Sequence, residues 1–147
     1  MPLRIRQTPA SALVVSHPSA AQHLSILLSA IGFDNVWSAR SIRDALGYCK
    51  VTPFDVAIVQ LDLGAEDGAH LVTALRAWPG SVDQILAVSL DEQRLHSAAD
   101  ARLPADAFLQ MPLTFTALQK VVGHKVRTNR PGLGDDDDAV LIINDDG

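Results

Sequence analysis

The chain has 147 residues, of which 48% are hydrophobic, with one cysteine and a formal net charge of −5. That is enough for one globular domain with a full core, and it excludes a disulfide framework. No apolar run approaches the roughly 18 residues of a membrane helix, and the opening MPLRIRQTPASALVV lacks the long apolar region of a signal peptide. With the lone Cys49 this points to a reducing cytoplasm and no membrane partner.

The charge is uneven. Residues 131–147 hold six Asp and no Lys or Arg, whereas residues 1–130 carry 12 basic and 11 acidic residues, a net of +1. The tail therefore carries the acidity. Neither part has the basic stripe that a nucleic-acid binder needs.

Residues 1–10, with Pro2 and Pro9, read as a loose lead-in. Ala12 to Val15 is a short apolar run with β-branched residues, a buried strand that His17-Pro18-Ser19 breaks. Ala20, Leu24, Leu27, Leu28 and Ile31 then share a helix face, closed by Gly32. Asn35 to Ala39 is a second strand. Ser41 caps a second helix, with Asp44 three residues on and Ile42, Ala45, Leu46 and Cys49 on its apolar face. That position makes Cys49 a core residue rather than a reactive thiol.

Pro53 ends the segment, and the strand Asp55 to Val59 runs into Gln60. A polar loop follows, and Asp67 caps a third helix with Leu71, Ala74, Leu75 and Trp78 on one face. Trp78-Pro79-Gly80 stops it. Gln84 to Ser89 is a fourth strand, and a weaker helix spans about Glu92 to Ala101. Ala107 to Gln110 is a fifth strand, Met111-Pro112 turns the chain, and a last helix runs from Thr114 to about Arg127.

Short apolar strands alternating with amphipathic helices, five times over, mean an α/β domain with a parallel sheet covered on both faces. In such a sheet the functional crevice lies beyond the carboxyl ends of the strands. The residues there are Val15-Ser16, Gln60, Ser89 and Gln110-Met111-Pro112.

Four segments carry a resemblance. SAIGFDNV is similar to an LGF/LGY segment, FDVAIVQLDLGAEDG to FDLVLLDLNLPGMDG, ILAVSL to VIALTA, and ADAFLQMPL to ADDFLVKPF. The chain thereby resembles the receiver domain of response regulators, the CheY-like fold, over about residues 11–127 at consistent spacing. The resemblance implies a flavodoxin-like five-stranded parallel sheet of order 2-1-3-4-5 with helices on both faces. It makes residues 11–127 the domain and 128–147 an acidic flexible tail.

The resemblance also implies a chemistry. Such a receiver takes a phosphoryl group on an Asp at the end of the third strand, with carboxylates holding a divalent metal, a Lys on the phosphoryl group and a Ser/Thr hydroxyl to hold it afterwards. Here Gln60 stands at the acceptor position, Val15 and Ser16 at the acid pair, and Met111 at the Lys; only Ser89 matches. These are degenerate phosphorylation-site positions. The expectation is a non-enzymatic pseudo-receiver with no catalytic residues, no cofactor and no Mg²⁺ binding.

Asp62 and Asp67 are read as structural rather than as substitute metal ligands, and His17 as a partly exposed loop residue. His23, His70, His96 and His124 share no ligand spacing. Phe108 stands at the family's switch aromatic, without the hydroxyl of a Tyr.

Function then moves to the surface. By the resemblance, partners dock on the face of the fourth helix, fifth strand and fifth helix, where Arg94, His96, Arg102, Lys120, Lys125 and Arg127 are the candidate contacts. The expected partner is a signalling protein, namely a histidine kinase, a response regulator or another regulator, or a second copy through the same face. The tail's Val140 to Ile143 is either an edge strand or the first strand of a further domain. Two alternatives stay open: residual non-standard phosphoryl or metal chemistry, and the regulatory domain of a larger protein.

Overall fold

The computed structural model describes residues 10–126 and 141–143, without the side chains of residues 123–126 and 141–143. The elements are β1 Ser11–Val15, α1 Pro18–Ile31, β2 Asn35–Ala39, α2 Ile42–Val51, β3 Phe54–Gln60, β4 Asp62–Leu63, β5 Glu66–Asp67, α3 Gly68–Arg76, β6 Val82–Ser89, α4 Glu92–Asp100, β7 Ala107–Gln110, α5 Phe115–Val126 and β8 Leu141–Ile143. The main sheet has the order β2-β1-β3-β6-β7-β8 and every pairing in it is parallel. Its first five strands in chain order thus follow 2-1-3-4-5, the flavodoxin-like α/β arrangement.

Alternation along the strands sorts the core into two layers, because successive side chains of a strand point to opposite faces. Leu13, Val15, Ala57, Val59, Ile85, Ala87 and Phe108 pack with Ala45 and Cys49 of α2, Leu71, Val72 and Leu75 of α3, and Leu95 and Ala98 of α4. Ala12, Val14, Val56, Ile58, Leu86, Val88 and Leu109 pack with Leu24, Leu27 and Leu28 of α1 and Leu118 and Val122 of α5. Fully burying one such Leu, Ile or Val contributes about 1.5–3 kcal/mol. Burial pushes the Cys49 thiol up to about 11, so it stays protonated and inert at neutral pH.

Two departures from the sequence reading bear on the site, and of the two readings of the tail's apolar run the edge strand is the one found. β3 gains a residue at each end because Phe54 and Gln60 register against Val82 and Val88 of a β6 that itself starts two residues early. The expected loop after Gln60 is a small antiparallel hairpin, β4 against β5, with Asp62 opposite Asp67. Gly64, at φ +79, opens its two-residue turn, where a positive φ is needed. Finally, β8 adds a sixth strand along the outer edge of β7, with Phe108 opposite Ile142. The rest of the tail, residues 127–140 and 144–147, lies outside the described residues.

Candidate functional site

Caps set the crevice walls. Asp67 accepts from Ala69 N at 2.9 Å and starts α3, and Asp91 accepts from Gln93 N at 3.0 Å and starts α4. Ser41 accepts from Asp44 N at 3.0 Å, as the sequence indicated. The same helix gains a second cap that the sequence hid. Glu66 Oε1, delivered by β5, accepts from Ile42 N at 3.0 Å.

At the floor, Val15, Ser16, Gln60, Ser89 and Met111 come together at the strand ends, all buried. Their side-chain oxygens are already bonded within the chain. Gln60 Oε1 accepts from His17 N at 3.0 Å, supplying the partner of a backbone donor at the start of α1, where the exposed His17 side chain makes no cap of its own. Ser16 Oγ donates to His17 O at 3.0 Å. Ser89 Oγ donates to Asp62 Oδ2 at 2.5 Å and accepts from Asp91 N at 3.0 Å.

Above the floor lies an open cleft lined by His17, Leu61, Asp62, Gly64, Glu66, Asp67 and Arg94. Arg94 reaches from the first turn of α4 and its Nη2 donates to Asp67 Oδ1 at 2.5 Å, while its Nε stands 3.7 Å from Asp62 Oδ1. A chain of polar contacts, Ser89–Asp62–Arg94–Asp67, therefore ties the end of β6 and the start of α4 to the β4–β5 hairpin. Sequence reading missed it. Periodicity locates a helix but does not show which of its charges turns toward a neighbouring loop.

This donor set does not fit a divalent cation, which takes oxygen ligands and favours carboxylates. Val15 offers no ligand, Ser16 and Gln60 are neutral, and of the three nearby carboxylates Asp62 and Asp67 are engaged by Arg94 while Glu66 accepts from Ile42 N. Among the described residues, no group of three or more His, Cys, Asp or Glu could hold a metal ion. Phe108 is turned inward and fully buried.

The candidate partner face divides. His96 and Lys120 are exposed, and His96 stands 3.5 Å from Glu92. Arg102 is exposed at φ 62, closing α4 through Arg102 N to Ala99 O and Leu103 N to Ala98 O. Arg94 is engaged at the crevice instead. The Lys125 side chain and all of Arg127 lie outside the described residues. Leu90 is exposed on the loop before α4, and Phe115, which its spacing from Leu118 and Val122 places on the inward face of the last helix, is instead exposed, because it stands at the first residue of α5, before the helix has packed on the sheet. No helix among the described residues is long and apolar enough to cross a membrane.

No protein-family model matches the chain, and no curated protein matches it in sequence. Solved structures do. A response regulator receiver domain (CheY-like) from Methylobacillus flagellatus is 28% identical, with a TM-score of 0.69 over 78% of this chain and 97% of that one. The chemotaxis response regulator CheY4 of Vibrio cholerae is 25% identical, with a TM-score of 0.67 over 78% and 97%. The receiver domain of a sensor histidine kinase from Pseudomonas aeruginosa, which holds a magnesium ion in its active-site cleft, shares the fold at 16% identity, with a TM-score of 0.67 over 80% and 97%. The chain has the CheY-like receiver fold, and the first two likenesses support its place in the receiver-domain superfamily of two-component signalling.

Proposed function

We propose that the chain is a pseudo-receiver, a non-enzymatic module that acts by phosphorylation-independent protein–protein interaction in a two-component or phosphorelay setting in the cytoplasm. The observation that carries the reading is Gln60. It ends β3 at the centre of the crevice, and its amide oxygen is bonded to His17 N. An amide oxygen is a poor nucleophile and carries no charge to hold a metal. The surrounding positions agree: Val15, Ser16 and Met111 supply neither carboxylate nor ammonium. Residues 11–127 form the module and 128–147 its acidic tail. The partner is a histidine kinase, a response regulator or another regulator, engaged through α4, β7 and α5.

Incubation with acetyl phosphate and Mg²⁺, followed by intact-mass measurement, tests this. No phosphoryl adduct is expected. Gln60→Asp is expected to stay unmodified as well, because Val15 and Met111 remain. An adduct on the unsubstituted chain overturns the reading, and an adduct on Gln60→Asp alone shows that the acceptor is the only part missing.

A further inference from the structure

The outer edge of β7 is where a partner strand would add to this sheet, and it is already taken. Leu141–Ile143 pairs there in parallel with Ala107–Leu109. The pairing is short, and its hydrogen bonds must offset the closure of the connection 127–140. A three-residue edge strand held by a long connection is replaceable by another strand of the same kind.

The segment is also chemically marked. Its apolar run Val140 to Ile143 stands between Asp135–Asp138 and Asp145–Asp146. The elements flanking β7 are of mixed charge, with exposed Arg102 and Lys120 beside exposed Asp91, Glu92, Asp100 and Asp106, and His96 against Glu92. Backbone pairing therefore supplies the affinity in such an arrangement, and the apolar side chains of the added strand supply the selectivity.

We infer that the β7 edge is a docking groove for an extended apolar peptide, and that the chain's own residues 141–143 occupy it as a built-in competitor. A partner strand of this chemistry engages only by displacing the tail. The inference rests on the reading of α4, β7 and α5 as the partner face, but not on an inert crevice. A phosphoryl adduct in the test above would leave it standing.

The test uses a fluorescein-labelled peptide of residues 134–147, GDDDDAVLIINDDG, and fluorescence anisotropy. Its receptors are the full chain and the full chain carrying Ile142→Pro and Ile143→Pro. Adjacent N–H groups of a strand point to opposite sides, so one of two consecutive prolines removes a donor facing β7. The peptide is expected to bind the doubly substituted chain at least about ten-fold more tightly than the unsubstituted one, because the tethered strand no longer competes. A peptide with the same two prolines is expected to bind neither.

Equal binding to both chains overturns the inference, as does no binding to a doubly substituted chain whose circular dichroism shows it folded. If that chain does not fold, hydrogen exchange on the unsubstituted chain decides. Protection of amides 141–143 that is lost on adding excess peptide supports the inference, and unprotected amides there overturn it. In size exclusion the unsubstituted chain is expected to run as a monomer. A dimer that the two prolines dissociate would overturn the assignment of the groove to the chain's own tail.

Discussion

A Cβ added at Gly68 would lie 2.2 Å from the Gln60 carbonyl oxygen and 2.9 Å from Leu61 Cα. Both are main-chain atoms of the central strand's end, so neither yields as a side-chain tip would. Gly68 is thus what lets α3 start directly against the floor of the crevice, with its N–H donating to Leu61 O at 2.9 Å. Gly68→Ala is expected to cost about 2–3 kcal/mol, the scale of overpacking a tight site, measured as a lowered urea midpoint. An unchanged midpoint would mean that α3 can back away freely. The Asp67-Gly68 pair was legible in sequence as a cap and turn. The close approach was not, because it depends on where α3 packs rather than on local propensity.

At the scale of elements, strands and helices were legible because their burial leaves a period in the sequence, two for a strand face and about 3.6 for a helix. Contacts between elements leave none. Arg94 shows the difference, since its place in the first turn of α4 was clear but its ion pairs with Asp67 and Asp62 were not. These pairs are partly exposed, so Arg94→Ala is expected to cost global stability no more than about 1 kcal/mol. Its local effect should be larger, because it unties α4 from the β4–β5 hairpin. Hydrogen exchange is expected to speed up at amides 62–67 and 92–95 while β1 and β3 keep their protection. Equal exchange in both chains would show that the caps at Asp67 and Asp91 alone hold these segments.

For the whole molecule, the neutral floor sets the response to metal. A ligand that binds only the folded chain raises its melting temperature by mass action. With no free carboxylate pair at the strand ends, millimolar Mg²⁺ is expected to leave the melting temperature unchanged by differential scanning fluorimetry. A rise of several degrees would reveal a site that Val15, Ser16 and Gln60 do not suggest. The overall architecture was legible because five buried strands and their amphipathic helices admit few arrangements. The sixth strand was only half legible. Its apolar run stood out between acids, but the edge it pairs with belongs to the assembled sheet.

The direction of that sixth strand has one more consequence. Because β8 runs parallel to β7, the chain enters its sheet at Ser11 on one rim and reaches Ile143 on the other, beside Leu109 and one residue short of Gln110. The sheet is therefore an arrow with a tail rim and a head rim, and the crevice opens at the head. A dye attached at Ile143 would sit on the head rim and one at Ser11 on the tail rim. Energy transfer between them would give a ruler along the strands that reads whether the last strand is seated or released.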